Sequence, residues 1–268
     1  MRLTTYLPAR QPRATLALLP SHGTTTRMWG SVVQLIPPRL GAEMLLFDLP
    51  GHGGAPALAE VDIGSLATEI AQQIESTRCT GRVVIAGAST GGAIALEAAV
   101  RPELMITGVA LFNSALLFGS PEGWAAIVAA ATRHGTPAFD PAGTRRGWFT
   151  VVFAEGAGAD VVADTLHDLA DVDLSSHLAC CRALAEYDGR HLARPVTTRG
   201  LAVGGTADRA VSASNMRAFA ADSSTFRYEE LPGAHLSVIE NASGAADLLS
   251  ALLRDSVARH HATAKETT

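Results

Sequence analysis

The pentapeptide Gly87-Ala88-Ser89-Thr90-Gly91 contains the residue types in this chain that point most directly to chemistry. It follows the aliphatic run Val84-Ile85-Ala86 and precedes a segment with helical periodicity. Glycines on both sides of a serine permit a sharp strand-to-helix turn, which lifts the hydroxyl clear of a sheet at a helix N-terminus. The pentapeptide alone is a weak signal, but its strand-turn-helix context is the one that a nucleophile elbow requires.

A serine hydroxyl becomes a useful nucleophile only beside a base, and the base needs a third group to orient it. After this type of elbow, the acid and then the histidine follow later in the chain. Asp208 lies in a turn after the aliphatic run 200–203, and His235 follows the next run, 225–231. Each residue alone is typical of a loop or a helix cap. Their joint placement favours a Ser89–Asp208–His235 triad for acyl transfer.

Acyl transfer also requires fixed N–H donors for the negative charge that develops on the carbonyl oxygen. We expect the backbone amide of Thr90 to be one donor, and that of His22, in the loop after the run 14–19, to be the other. Gly23 and Thr24 allow a close approach of this loop. The His22 side chain is a candidate second base, but we favour a role through its backbone or in the pocket wall.

Other reactive residue types favour structural roles. His52 lies in a tight turn after a strand, where loop packing is favoured over a role as a base. Cys180 and Cys181 lie on a predicted helix with no flanking positive charge beyond Arg182, so we expect them to pack. With Cys79 they make an odd number of cysteines, which argues against a disulfide framework. The nine histidines show no zinc-ligand spacing, so we expect no metal.

Composition excludes several classes of partner. The chain has 268 residues, of which 47% are hydrophobic and 18% charged, enough apolar material for a buried core. The 21 basic and 26 acidic residues give a net charge of −5, and no run of Lys or Arg suggests nucleic acid or anionic lipid as a partner. No apolar stretch reaches the ~18 residues of a membrane-spanning helix. We expect a soluble cytoplasmic protein.

Short aliphatic runs alternate with segments of 3.6-residue periodicity along most of the chain. The runs predict strands at 14–19, 43–47, 82–86, 106–112, 200–203 and 225–231. The periodic segments predict helices at 63–74, 92–100, 212–221 and 245–257. Such alternation predicts an α/β fold with a mostly parallel sheet and helices on both faces.

The segment 120–194 breaks this alternation, because it contains helical patterns and no convincing strand. We expect helices at 124–133, 161–169 and 178–187. They predict a helical cap of residues 120–194 inserted into a core of residues 1–119 and 195–268, over the sheet edge where open α/β sheets bind ligands. An additional helical layer with no role in binding is the alternative. Trp124, Trp148, Phe149 and Phe153 are candidates for pocket walls or for the cap's own core.

The elbow, Asp208 and His235 resemble the α/β-hydrolase superfamily, and further motifs are similar to those of the 3-oxoadipate enol-lactonases. These motifs span nearly the whole chain: Gly23-Thr24-Thr25, Arg27-Met28-Trp29, Ser120-Pro121-Glu122-Gly123-Trp124, Trp148-Phe149-Thr150, Cys180-Cys181 and Ala234-His235-Leu236-Ser237. The resemblance implies an α/β-hydrolase fold and hydrolysis of a small carboxylated enol-lactone in aromatic-compound breakdown. It also implies an acyl-enzyme on Ser89 and no metal or organic cofactor.

The chain departs from that family at the position before Trp-Phe-Thr, where the resemblance implies a basic residue. Gly147 stands there, with Arg145 and Arg146 just upstream. The predicted substrate pocket therefore comprises Gly23, Trp124, Arg146 and Trp148. The N-terminus has room for one short strand, at 3–7, before the strand at 14–19.

Several functions stay open at this point. A general carboxylesterase or a perhydrolase would use the same serine, and a non-catalytic receptor would use the pocket to bind a small molecule. Cofactor-free oxygenation on the same fold would use a histidine base. The sequence leaves the oligomeric state open, and a homo-oligomer is compatible with it.

Overall fold

The computed structural model describes residues 1–77, 82–101, 104–135, 141–192 and 196–266, with the backbone alone for 141–142 and 259–266. Cys79 lies outside the described residues. Seven strands form one sheet in the described chain: β1 (Arg2–Leu7), β2 (Ala14–Leu19), β3 (Ala42–Asp48), β4 (Val83–Ala88), β5 (Ile106–Phe112), β6 (Gly200–Gly205) and β7 (Phe226–Leu231).

The sheet has the strand order β1-β3-β2-β4-β5-β6-β7. Only the β1–β3 pair is antiparallel, and the other five pairs are parallel. Every residue of β2, β4 and β6 is buried, as expected of central strands with helices on both faces. The mostly parallel α/β sheet predicted from the aliphatic runs is confirmed.

Eleven helices accompany the sheet in the described chain. They are α1 (Gly30–Leu35), α2 (Ile63–Ser76), α3 (Thr90–Ala99), α4 (Pro121–His134), α5 (Pro141–Trp148), α6 (Val151–Glu155), α7 (Ala159–Ala170), α8 (Leu174–Glu186), α9 (Ala213–Asp222), α10 (Ser237–Glu240) and α11 (Ala242–Glu266).

Two hydrophobic cores lie on opposite faces of the sheet. Alternate residues of β2 divide between them: Ala17 and Leu19 pack with α2, α3 and α9, whereas Leu16 and Leu18 pack with α1 and α11. None of the helices in the described parts of the chain is both long and apolar enough to cross a membrane.

Helices α4 to α8 lie between β5 and β6, in the segment for which the sequence predicts helices and no strand. The three predicted helices correspond to α4, α7 and α8, and α4 packs against α8. The sequence analysis missed α5 and α6. The α6 helix has only five residues, and the Thr150 side chain caps it by accepting from the Phe153 amide.

Candidate active site

The serine lies where the sheet brings its loops together. Strands β2, β4, β5, β6 and β7 are parallel neighbours, so their carboxyl ends share one edge. Ser89 follows β4, the loop with His22 follows β2, Asp208 follows β6 and His235 follows β7. Cross-strand pairing of Leu19 with Gly87 places the β2 loop directly beside the serine turn.

Ser89 adopts a strained backbone conformation, with φ of 51° and ψ of −116°. Its amide donates to the Phe112 carbonyl at 2.8 Å, and its own carbonyl accepts from the Ser114 hydroxyl at 2.8 Å. These bonds hold the turn between β4 and α3. The glycines on both sides are required: a Cβ on Gly87 would lie 2.0 Å from the Gly91 carbonyl oxygen. The geometry is that of a nucleophile elbow.

Asp208 and His235 form a buried pair, with Nδ1 of His235 3.0 Å from Oδ2 of Asp208. Oδ1 of Asp208 accepts the amides of Ala210 and Val211 at 2.8 and 2.9 Å. Burial raises the pKa of Asp208, but hydrogen bonds from His235, Val211 and Asn113 outweigh burial and lower the pKa below its usual value. An ionised Asp208 fixes the proton of His235 on Nδ1 and leaves Nε2 available as a base.

Asn113 is a member of this site that sequence analysis missed. It follows β5 in a left-handed conformation, with φ of 49°. Its Nδ2 donates to Asp208 Oδ2 at 2.9 Å and to the Ala234 carbonyl at 3.2 Å, while its Oδ1 accepts from the Ser237 hydroxyl at 2.6 Å. Asn113 therefore links the acid to the histidine loop. The only available signal was an asparagine directly after a buried strand.

The predicted oxyanion donors, His22 and Thr90, line the same cavity as Ser89 and His235. Thr90 is the first residue of α3, where the amides point out of the helix end. In the β2 loop the Gly23 amide donates to Nε2 of His52 at 3.0 Å. Neither His22 nor Thr90 donates its amide to any loop or cap hydrogen bond in the described chain.

The cavity beside Ser89 has a volume of about 300 Å³. Three of the four predicted pocket residues, Gly23, Trp124 and Trp148, line it. Arg146 does not: it is exposed and lines a separate hollow with Arg145 and Glu155. Side chains two residues apart on a helix differ in direction by about 200° of rotation around the helix axis. The α5 helix therefore turns Trp148 toward the cavity and Arg146 away from it. The placement of Arg146 in the pocket was wrong.

The cavity wall is mostly apolar. Its apolar residues include Phe118, Ile127, Leu169, Leu184 and Val211, and no Arg, Lys, Asp or Glu lines it among the described residues. Two of its histidines are held neutral. Burial, and then the neighbouring His177 and His52, lower the pKa of His22 well below its usual value, and burial lowers that of His177 to about 4.

Two carboxylates, among other contacts, connect the helical block α4–α8 to the loops that carry His235 and His22. Oε1 of Glu240 accepts the amides of Ala234 at 2.7 Å and Thr150 at 3.2 Å, so one carboxylate ties the histidine loop to the segment after Trp148. On the other side of the cavity, Oδ2 of Asp168 on α7 accepts the Thr25 hydroxyl at 2.8 Å, and the same carboxylate forms an ion pair with Arg27.

Comparison with known proteins identifies the family and similar structures. The model of the alpha/beta hydrolase family matches residues 17–248. The chain is 25% identical to "3-oxoadipate enol-lactonase 2" of Acinetobacter baylyi over 230 residues, which cover 85% of this chain and 84% of that protein.

Solved structures agree with this assignment. The enol-lactonase of Burkholderia xenovorans LB400 superposes with a TM-score of 0.86 at 26% identity, covering 93% of this chain and 95% of that one. A thermophilic esterase of Thermogutta terrifontis shares the fold, with a TM-score of 0.83 at 16% identity, covering 94% and 92% of the two chains. These relatives support a hydrolase role. The chain belongs to the alpha/beta hydrolase family.

Proposed function

We propose that the protein is a serine hydrolase that opens a small enol-lactone, similar to 3-oxoadipate enol-lactone, or a related carboxylic ester through an acyl-enzyme. The observation that carries this proposal is the Asp208–His235 hydrogen bond of 3.0 Å at a cavity that also contains Ser89 on a strained elbow. Enol-lactonases of two bacteria among the similar proteins support the substrate class.

In the proposed mechanism, Nε2 of His235 takes the proton of the Ser89 hydroxyl as Oγ attacks the substrate carbonyl carbon. The amides of His22 and Thr90 stabilise the tetrahedral oxyanion. When this intermediate collapses, the ring C–O bond breaks and His235 returns the proton to the leaving oxygen. Water, deprotonated by the same histidine, then attacks the acyl-enzyme and releases Ser89 with a free acid. For an enol-lactone, the released enol becomes the ketone of a ring-opened keto acid.

The helices between residues 120 and 194 serve as a lid in this proposal. Trp124 and Trp148 come from this segment and line the cavity. Because Glu240 and Asp168 connect the segment to the histidine loop and the oxyanion loop, the lid and the reacting groups are held as one unit. The aromatic walls exclude water around the substrate ring, which strengthens the hydrogen bonds to the oxyanion.

A general carboxylesterase is the second candidate, and the mostly apolar cavity wall favours it. A carboxylated lactone needs a cation or several donors for its free carboxylate, and the described lining has no cationic side chain. A substrate panel separates the two candidates: 3-oxoadipate enol-lactone against short p-nitrophenyl esters. A higher kcat/KM for the lactone supports the first candidate, and a higher kcat/KM for the neutral esters supports the second.

Labelling with a fluorophosphonate tests the serine mechanism itself. We expect one phosphonyl adduct per chain, located on Ser89 by peptide mass spectrometry, and no adduct in Ser89→Ala. Ser243, an exposed serine on α11 that does not line the cavity, provides the control: Ser243→Ala should still be labelled. If no adduct forms and no ester or lactone is turned over, while a small ligand raises Tm, the chain is a receptor on the hydrolase fold.

A further inference from the structure

Three potential metal ligands meet in the wall of the cavity. His22 belongs to the loop after β2, and His177 and Cys181 lie one turn apart on α8. One nitrogen from each histidine and the Cys181 sulfur all lie within 4.8 Å of one another. The sequence did not predict this cluster, because no spacing pattern connects His22 to α8.

One of the separations in this cluster already fits a tetrahedral ion. Zinc lies about 2.0–2.1 Å from histidine nitrogen and about 2.3 Å from cysteine sulfur, so two such ligands on one zinc are about 3.4–3.7 Å apart. Nε2 of His177 lies 3.7 Å from Sγ of Cys181, and this distance is already the one expected between two ligand atoms of one zinc ion. The ring of His22 is 4.7 Å from that of His177, centroid to centroid. Bringing His22 to the same ion needs a movement of roughly 1 Å.

The His22 ring gives a second and independent indication of a ligand. Its Nε2 atom is buried and has no hydrogen-bond partner in the part of the chain that the structure describes. A buried polar atom without a partner costs free energy, and such atoms are rare in folded proteins. An ion held by Nε2 of His22 satisfies this atom, for which the described residues provide no hydrogen-bond partner.

The donor set selects the class of ion. Imidazole and thiolate together suit zinc and other borderline or soft transition metals, whereas magnesium and calcium require oxygen ligands. The forms that coordinate a metal are the neutral imidazole and the thiolate. The Cys181 thiol releases its proton to solvent when the zinc–sulfur bond forms.

We propose that His22, His177 and Cys181 form a binding site for one zinc ion in the wall of the substrate cavity. Three protein ligands leave the fourth tetrahedral position to water or a bound small molecule, as in open zinc sites. His22 and His177 both line the cavity, so this position faces the space beside Ser89. Zinc occupancy is measured without any substrate, so its test does not depend on the outcome for the proposed serine chemistry.

Isothermal titration of the full chain with ZnCl₂, in a buffer without competing thiols, tests the proposal. We expect one ion per chain, and a Kd at least roughly 100-fold weaker in Cys181→Ala and in His177→Ala. The neighbouring Cys180 is equally buried but outside the cluster, so Cys180→Ala should bind zinc as the wild type does. His167→Ala removes an exposed histidine beside Asp171 and controls for surface binding.

Cobalt substitution reports directly whether the Cys181 sulfur binds the metal. Co²⁺ bound by a thiolate shows a sulfur-to-metal charge-transfer band and intense tetrahedral d–d bands. We expect both in the wild type and in Cys180→Ala, and neither in Cys181→Ala or, if that variant unfolds, in Cys181→Val. The proposal would be overturned if the wild type bound no metal, or if the variants without Cys181 bound metal as tightly as the wild type. It would also be overturned if Cys180→Ala lost as much metal binding as Cys181→Ala.

Discussion

The backbone amide of Gly23 donates a hydrogen bond to Nε2 of His52 at 3.0 Å. Nδ1 of the same ring lies 2.8 Å from the carbonyl oxygen of Pro50, so Nδ1 carries the proton and Nε2 accepts. Burial lowers the pKa of His52 to about 4. A neutral imidazole of fixed tautomer thus joins the loop after β3 to the loop that presents the His22 amide.

His52 is therefore predicted to be a positioning residue for the proposed oxyanion hole. In His52→Ala the Gly23 amide loses its acceptor and the loop loses its support. We expect kcat to fall roughly 10- to 100-fold with a smaller change in KM, because a displaced donor weakens binding of the transition state more than that of the substrate. Steady-state kinetics on the best ester or lactone measures the two parameters.

Exposed His167 supplies the control, since His167→Ala should keep the wild-type kcat and KM. A wild-type kcat in His52→Ala would contradict this role.

The sequence predicted the sheet well because a strand buried on both faces is a short aliphatic run bounded by turn residues, as in β2 and β4. Helix boundaries were less certain. Helical periodicity is visible only from residue 92, because glycine lowers helix propensity, but the elbow motif predicts a helix that begins near Thr90, where α3 does begin. The α5 helix was missed because it has few apolar residues before Trp148.

The sequence placed Ser89, Asp208 and His235 each after a strand, but it did not indicate the residues that hold them. Asn113, Glu240 and Asp168 act through bonds between segments far apart in the chain, and such pairs leave no local pattern. Arg146 was misplaced for a related reason. Its distance along the chain from Trp148 was known, but the side of α5 on which it lies depends on how that helix packs.

Glu240 is predicted to keep the lid in register with the histidine loop. Its Oε1 accepts amides from both Ala234 and Thr150, and an amide side chain in its place loses the charge that strengthens these bonds. We expect Glu240→Gln to raise KM several-fold and to lower Tm by a few degrees. Kinetics and thermal melts measure both effects. Exposed Glu229, paired with Arg227 on the surface, serves for comparison, and Glu229→Gln should change neither value. If the two variants had the same KM and Tm, Glu240 would not be the residue that holds the lid to the histidine loop.

The buried carboxylate of Asp208 predicts a specific acid sensitivity. Its folded-state pKa lies below the usual value, so the folded chain holds this proton less readily than the unfolded chain. The ionised group stabilises the fold above about pH 4, and this contribution is lost as the pH falls through the folded-state pKa. Urea midpoints measured from about pH 6 down to about pH 3 should fall more steeply for the wild type than for Asp208→Asn. The other carboxylates titrate in both proteins, so their effects cancel when the two curves of urea midpoint against pH are compared. Parallel curves would show that Asp208 does not contribute.

Two glycine-to-alanine substitutions test how tightly the elbow is built. A Cβ on Gly87 would lie 2.0 Å from the Gly91 carbonyl oxygen and 2.5 Å from the Gly92 amide nitrogen, both on the backbone of the serine turn. Gly87→Ala must displace that backbone, so we expect a loss of at least about 3 kcal/mol in the free energy of unfolding. The comparison is Gly147, on α5, where a Cβ would meet no atom of the described residues within 4 Å.

Because alanine has the higher helix propensity, Gly147→Ala should be neutral or should stabilise the fold by up to about 1 kcal/mol. Urea unfolding of both variants measures the difference, and phosphonate labelling of any folded Gly87→Ala shows whether Ser89 still reacts. A folded Gly87→Ala with wild-type stability and labelling would mean that the turn tolerates a side chain at this position. The close approach of residues 87 and 91 would then not be what holds the serine in its strained conformation.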